Sequence, residues 1–463
     1  ERMPLRPPAS GIAFDGTARL ASPQAVRSAL LADFRQRGGM LVEEAGEALR
    51  ERRHAASNGV LIVSFAMDKR GKIVSDIDVR AIGLAVVALG GGRRRNGDTE
   101  AVLRAVERDA NVSALRTQVA SRSIDIQAAR DGLYPSLSLS GDSSTTSSEG
   151  PGITLTVSQV LYDWGKIRGQ IDAASQMRVR AVSDLKMAVE DMTLQVAQYF
   201  LEVEAIDLKL RQTRDYAAFA RRIANQAQDR STAGLSDVGE VARARLEIAR
   251  ADDQLAQLTS NRAIALSQIA FLIGSESAAI VPPPALGFDR TYAQPAKIRS
   301  AVRIAPDNIA ARARVAEADA EIEIAKASRL PTIKLQAQGR ADLNGGRTRT
   351  ALGVSAGVDL SSSGLGKRKI QAAELNLQAA RSTLLSAERE LTNTAQSAVQ
   401  QLAILRNSEA ARGGQLGEAK RVLDTYEQQF IGGQRELLDL LTTGRDLYDA
   451  QIDQIETYEE RKL

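Results

Sequence analysis

One long segment of the chain occurs twice, the second occurrence following the first at a constant offset. Leu161 is matched by Leu360, Gly165 by Gly364, Leu185 by Leu384, Met192 by Leu391, Val203 by Leu402, Ile206 by Leu405, Gly234 by Gly433 and Val241 by Leu440, every pair 199 positions apart. A register shared over roughly eighty residues implies a duplicated unit, so what one copy folds into the other repeats.

Each copy opens with a helical pattern that ends before a proline. Val102, Val106, Val112, Leu115, Val119 and Ile126 have helical spacing from Asp98 to Leu133, and Tyr134-Pro135 ends the run. The period then changes to two. Leu137 and Leu139 alternate with Ser136, Ser138 and Ser140, and after a polar turn Ile153, Leu155 and Val157 alternate with Thr154, Thr156 and Ser158. In the second copy a helix from about Ile298, carrying Ile309, Val315, Ile322 and Ile324, leads to Leu330-Pro331. Ile333 and Leu335 then alternate with Thr332, Lys334 and Gln336; after Asn344-Gly345-Gly346, Leu352, Val354, Ala356 and Val358 alternate with Gly353, Ser355, Gly357 and Asp359. Two hairpins with one apolar and one polar face are predicted, at 135–161 and 331–360. Such faces suit either a cover on a soluble core or the wall of an outer-membrane barrel.

The interval after each hairpin is the more restrictive. Gly165 to Gly234 and Gly364 to Gly433 are both 69 positions without a proline, and a helix of that length spans on the order of 100 Å. Leu185, Val189, Met192, Val196, Tyr199, Val203, Ile206 and Leu210 step by fours and threes, a seam for packing against another helix. Smaller residues continue it as Thr213, Ala217, Ala220, Ala224 and Ala227, so helices should approach more closely toward the far end. Glycine can close a helix in left-handed geometry. Long helices are therefore predicted at 165–233 and 364–432, with return helices at 237–274 and 436–463. The stretch 275–296, with Pro282-Pro283-Pro284, reads as a linker between the copies.

Composition narrows the chemistry. The 463 residues include no cysteine and a single histidine, His54, which excludes disulfides, thiolate sites and most histidine-dependent catalysis. No nucleophile with a base, metal cluster or phosphate-binding loop is found, and Gly90-Gly91-Gly92-Arg93 lacks the Gly-Lys-Ser/Thr ending of such a loop. No enzyme activity and no cofactor is expected. The net charge of +4 lies in residues 1–96, with 16 Lys+Arg against 10 Asp+Glu; the remainder holds 45 against 47. Charges in the duplicated region alternate along its helices, so no nucleic-acid partner is expected. No run reaches the ~18 apolar residues of a transmembrane helix. Ala81 to Leu89, after Arg80, is either a short strand or buried turn, or the relic of a secretion signal.

Helix, hairpin, long helix, glycine turn and helix, given twice, resemble the TolC-type outer-membrane export duct family over roughly residues 98–463. The residues that carry the likeness are Gly132-Leu133-Tyr134-Pro135-Ser136-Leu137, Leu161-Tyr162-Asp163-Trp164-Gly165-Lys166 and both tip hairpins. The resemblance implies a mainly α fold with membrane β: duplicated helical hairpins forming an α-barrel, and four strands per protomer in a trimeric twelve-stranded outer-membrane barrel. It implies a homotrimer that conducts cargo unchanged, served by a periplasmic adaptor (membrane fusion protein) and an inner-membrane ABC or RND pump. Drug efflux and one-step protein secretion both fit; the absence of a lipidated cysteine favours the secretion or TolC-like branch.

By the same resemblance the periplasmic end is closed by inward-coiled tip hairpins. Asp439 falls at an acidic ring position, Arg435 at the cation that links neighbouring hairpins, and Glu240 at the matching acidic position of the first hairpin. A second ring position holds Thr442, so the ring would carry one carboxylate per protomer and select cations more weakly. The alternative is exposed helix charge, worth at most about 1 kcal/mol per pair. Arg230, Gly234, Leu235, Ser236 and Gly433 mark the tips where an adaptor would dock, although glycine turns cap helices in any bundle. Trp164 is expected where strand meets helix at the membrane interface, with ordinary core packing as the alternative.

Residues 1–96 stand outside this pattern. Leu49-Arg50-Glu51-Arg52-Arg53, Gly59 to Asp68 and Gly71-Lys72-Ile73-Val74-Ser75-Asp76 resemble the C-terminal part of RNase J type ribonucleases, a small α/β segment. With His54 its only histidine, the segment lacks the two-metal site a working nuclease needs. The join near Gly83 to Asn96 is expected to be a gene fusion, a misread start or an assembly artefact, and the second return helix to be truncated. Besides an export duct, the rods would suit a soluble periplasmic adaptor or scaffold, and a non-functional fusion product is a further alternative. Paired amphipathic hairpins before each rod favour the duct.

Overall fold

The computed structural model describes residues 96–142, 151–234, 237–275, 290, 292–342, 348–357 and 363–463. The expected ribonuclease-like segment 1–96 apart from Asn96, most of the linker, Val358 to Leu360, and Leu235 with Ser236 lie outside the described residues. In chain order the elements are α1 (Asn96–Arg108), α2 (Ala110–Asp131), β1 (Ser136–Asp142), β2 (Gly152–Tyr162), α3 (Lys166–Thr232), α4 (Val238–Ile273), α5 (Pro295–Ile304), α6 (Pro306–Ala327), β3 (Thr332–Asp342), β4 (Arg349–Gly357), α7 (Ser363–Ile431) and α8 (Leu437–Lys462). The mainly helical fold with four strands is as the duplication predicts.

The strands form one antiparallel sheet in the order β1-β2-β3-β4. The register sorts side chains by face. Leu139 lies opposite Leu155, which lies opposite Gly339, while Ser138 lies opposite Thr156 and Thr156 opposite Gln338. Directly opposed residues share a face, so Leu137, Leu139, Ile153, Leu155, Val157, Leu335, Leu352 and Val354 make one apolar surface. All eight are exposed in the protomer, Leu139 by 72% and Leu352 by 75%. The polar face carries serine, threonine and glutamine together with Lys334, Arg340 and Arg349.

Helix α3 has 67 residues and α7 has 69, each on the order of 100 Å long. The heptad seam of α3 is buried from Leu185 through Ala227, with Met192 and Tyr199 partly covered. Phe200, Leu201 and Ile223, off that seam, are buried as well, because α3 is flanked by α1, α2, α4, α6 and α8. The corresponding helix α7 packs mainly on α5, α6 and α8, and reaches α3 near the tip through Glu427 and Phe430. Its repeats of the seam, Leu384, Leu391, Leu402 and Leu405, are half-buried, and Ile404 is 67% exposed.

Two expected helices are each broken. The run from Asp98 to Leu133 divides at Asp109, which is extended (φ −65, ψ 123) and accepts the amide of Val112 on its side chain at 2.7 Å. A side-chain cap of this kind starts a new helix where apolar spacing continues unbroken. In the second copy the break is at Ala305, extended because Pro306 follows, and Pro306 begins α6.

Near these breaks Asp184 of α3 faces Arg180 and Asp307. Burial lifts its carboxyl above the ordinary 3.8, opposed by Arg180 and reinforced by Asp307. A carboxyl lifted in this way favours folding while protonated: the contribution is whole below the unfolded value and is lost as pH rises through the folded one. Asp184→Asn is therefore expected to raise the melting temperature at pH 7 by about 2 °C. That gain should vanish in a melt below pH 3.8; an unaltered pH 7 melt would count against it.

Candidate functional site

At the upper end of α3 the chain turns from strand to rod through two left-handed residues, Trp164 (φ 60) and Gly165 (φ 87). Tryptophan rarely adopts that geometry, and several contacts hold it there. The Trp164 indole donates to the Pro331 carbonyl at 3.0 Å, and its ring meets Tyr162 edge-on at 4.8 Å. Asp163 accepts the amides of Gly165 at 3.0 Å and Ile167 at 2.6 Å, capping the first turn of α3. Trp164 thus stands at the strand–helix junction and ties the exit of the first hairpin to the entry of the second. Just below, Gly169 admits Ile324 of α6: a Cβ there would lie 2.7 Å from its Cγ1.

At the opposite end both long helices close on left-handed glycines, Gly234 (φ 72) and Gly433 (φ 73). Their return helices bury a shared core with them that includes Ile223, Ala227, Val241, Leu423, Phe430, Leu437 and Leu440. Arg230 sits over Phe430, its guanidinium carbon 4.9 Å from the ring centroid. Arg222 of α3 pairs with Glu427 of α7. Two contacts between side chains thus join the first-copy tip to the second.

Arg435 is engaged within its own hairpin. It donates to Gln429 at 3.0 Å and to the Asp439 carboxylate at 3.2 Å, and lies 4.0 Å from the Tyr426 ring centroid. Asp439 and Glu240 occupy the first turns of α8 and α4, where carboxylates complement the helix dipole. Among the ion pairs of the described residues, Arg435 is joined to Asp439 and not to Glu240.

A further cluster escaped the sequence reading. Glu247 of α4 accepts from Tyr216 of α3 at 2.9 Å, from Arg250 at 2.6 Å and from Arg445 of α8 at 3.3 Å. Tyr216 stacks on Tyr448 of α8 at 4.8 Å, and the Tyr448 hydroxyl shares a 3.1 Å hydrogen bond with Thr213. Burial and the Glu247 carboxylate raise the Tyr216 phenol, so it stays a donor at any physiological pH. These partners lie on different helices and up to 235 positions apart, so no local pattern announces them. Among the described residues no group of carboxylates and histidines could hold a metal.

A sheet with an exposed apolar face thus stands at one end of two very long helical hairpins, and glycine turns close them at the other. The chain belongs to the outer membrane efflux protein family, whose profile matches residues 102–275 and 298–462. It is 29% identical over 233 residues to protein CyaE of Bordetella pertussis, covering 47% of this chain and 49% of that protein. The chain thus spans about half the length of the curated relative it matches. Among solved structures it resembles the outer membrane protein VceC of Vibrio cholerae, with a TM-score of 0.65 and 17% identity, over 79% of this chain and 93% of that one. It also resembles the CmeC outer membrane channel of Campylobacter jejuni, with a TM-score of 0.62 and 14% identity, over 87% and 92%. Fold and family are those of channels and transport proteins.

Proposed function

We propose that three copies of this chain assemble into an export duct. Each contributes its four strands to one closed barrel in the outer membrane, and the rods continue the lumen across the periplasm. The observation that carries this reading is the sheet: β1 and β4 each have an unpaired edge, one face is apolar and exposed, and closure with copies of itself removes both liabilities. Exposed apolar residues on α7 and α4, among them Leu385, Ile404, Leu246 and Ile264, provide helical surfaces for the same neighbours. On this reading the chain comprises two TolC-like repeats, 97–274 and 297–463, with 275–296 as the linker between them.

In this reading the tips form the periplasmic gate. Asp439 supplies the carboxylate ring, Arg435 the latch to the neighbouring hairpin and Glu240 its acidic partner. To reach a neighbour, Arg435 gives up its contacts with Gln429, Tyr426 and Asp439. Arg230, Gly234, Leu235, Ser236 and Gly433 form the docking end for a periplasmic adaptor, which couples the duct to an ABC or RND pump. Trp164 marks the membrane interface. The cargo is protein delivered by type I secretion, or small molecules delivered by an efflux pump.

Planar-bilayer recording of the detergent-purified trimer tests this directly. Arg435→Ala should raise conductance about tenfold if the latch contributes a charge-assisted hydrogen bond, and Asp439→Asn should lower cation selectivity. A monomer that is soluble without detergent would favour the scaffold reading. Unaltered conductance in Arg435→Ala would remove the latch.

A further inference from the structure

Four helix ends meet the sheet: the close of α2, the start of α3, the close of α6 and the start of α7. Within about two turns of it, residues 127–134, 163–170, 324–330 and 363–370 hold eight Lys+Arg against two Asp+Glu. Residues 97–463 as a whole hold 45 against 47, so the excess belongs to this level of the molecule. Lys367, Arg368 and Lys369 open α7, Arg168 lies in the first turn of α3, and Lys326 and Arg329 close α6; all six are exposed. Among the ion pairs of the described residues only Lys326 of these cations takes part, with Glu323 at 2.9 Å. Of the two acids, Asp163 is occupied by the amides of Gly165 and Ile167.

Helix stability does not account for this placement. Cations at a helix N-terminus oppose its dipole, yet the first turns of α3 and α7 carry no acid. The helices that begin at the tips follow the ordinary rule, with Glu240 and Asp439 in their first turns. Successive helix residues point about 100° apart, so Lys367, Arg368 and Lys369 sweep more than half the circumference of α7. Whatever the rotation of the rod, a cation faces outward.

The level of the belt is fixed by its neighbours. Strands β2 and β3 have 11 residues each, which suits the ~25 Å apolar band of a tilted barrel strand. Tyr134, Tyr162 and Trp164 are exposed at the helix end of the sheet, and such amphipathic rings settle at headgroup depth. The cations come directly after them.

We propose that this belt binds the phosphates of anionic glycerophospholipids in the periplasmic leaflet. The inference rests on the reading of the sheet as part of an outer-membrane barrel. Arginine grips a phosphate as a fork and lysine as a point charge, so the belt sets the depth of the barrel: apolar face in hydrocarbon, rings at the boundary, cations on the headgroups.

Trp164 is the single tryptophan of the chain, and its indole is bonded to Pro331, so its fluorescence reports on lipid beside Arg168 and Arg329. The test uses purified full-length trimer in bilayers of phosphatidylcholine and phosphatidylglycerol, with quenching bromine on the acyl chains of one lipid or the other. Each cation near an anionic surface is worth about fivefold in affinity. Wild type should therefore favour phosphatidylglycerol by at least about fivefold, and less at high salt. Arg168→Gln/Arg329→Gln and Lys367→Gln/Arg368→Gln/Lys369→Gln should each lower that preference, whereas Lys420→Gln, far along α7, should not. Glutamine matches lysine and arginine in helix propensity, and heat-resistant trimer on a gel checks assembly. Equal quenching by the two lipids would overturn the belt and leave the barrel in the membrane. Quenching by neither would remove Trp164 from lipid and the belt with it. A preference undiminished in both multiple variants, or equally lost in Lys420→Gln, would overturn the assignment to these cations.

Discussion

Leu155→Arg is expected to abolish the assembled protein in the outer membrane, whereas Ser138→Arg on the neighbouring strand should leave it nearly intact. Leu155 lies in the interior of β2, opposite Leu139 on one side and Gly339 on the other, and is 44% exposed in the protomer. If that exposure is to lipid, a guanidinium there costs about 2–4 kcal/mol near the bilayer midplane, and a three-copy barrel incurs the cost three times. Ser138 lies opposite Thr156 on the polar face, where a barrel holds water. The measurement is the amount of heat-resistant trimer in outer-membrane fractions, read by gel before and after boiling. Equal amounts for the two variants would mean that the apolar face does not meet lipid. A soluble scaffold would reverse the diagnosis, with Leu155→Arg improving solubility.

The second large effect is expected at Gly444. Its missing Cβ leaves room for Phe219, and a built Cβ falls 2.2 Å from Cε1 and 2.7 Å from Cζ. The ring has little freedom to withdraw, with Arg222 at 5.6 Å from its centroid, Tyr216 stacked at 6.3 Å, and 9% of the residue exposed. Gly444→Ala must therefore move α8 away from α3, and overpacking of this kind costs about 1–3 kcal/mol. Gly414→Ala is the matched control. It too places alanine inside a helix, but into open space, so helix propensity alone should stabilise α7 by about 1 kcal/mol. Hydrogen exchange over 213–250 and 437–450 should accelerate in Gly444→Ala and not in Gly414→Ala. Adding Phe219→Leu to Gly444→Ala should restore part of the protection. Unaltered exchange in Gly444→Ala would mean that α8 and α3 are less closely packed than described.

Local rules read the elements well where a single period persists. The strands, both rods and the glycine turns at Gly234 and Gly433 follow from alternation, heptad spacing and the left-handed preference of glycine. The same rules failed at Asp109 and Ala305, where apolar spacing runs on but a capping carboxylate and a proline end the helix. Pro306 was a visible signal; Asp109 was one among many aspartates. At the tips, the family resemblance singled out Arg435 as a link to a neighbouring hairpin and Asp439 as a ring carboxylate, and the fold pairs the two 3.2 Å apart within one hairpin. The resemblance did not locate Glu247, Tyr216 or Arg445, since a carboxylate shared by three helices leaves no trace in any one of them.

The sequence by itself determined the duplication and the rod length. The offset is constant at 199 from the pair Leu161 and Leu360 to the pair Val241 and Leu440, as a duplicated unit requires. Tertiary structure decided that the two rods do not share one environment. α3 packs along its length on five other helices and buries residues beyond its seam, while α7 packs mainly on three and leaves the matching leucines half-covered. Equal patterns met unequal neighbours, and it is contact with neighbours, which periodicity does not encode, that determines which faces remain open for another copy.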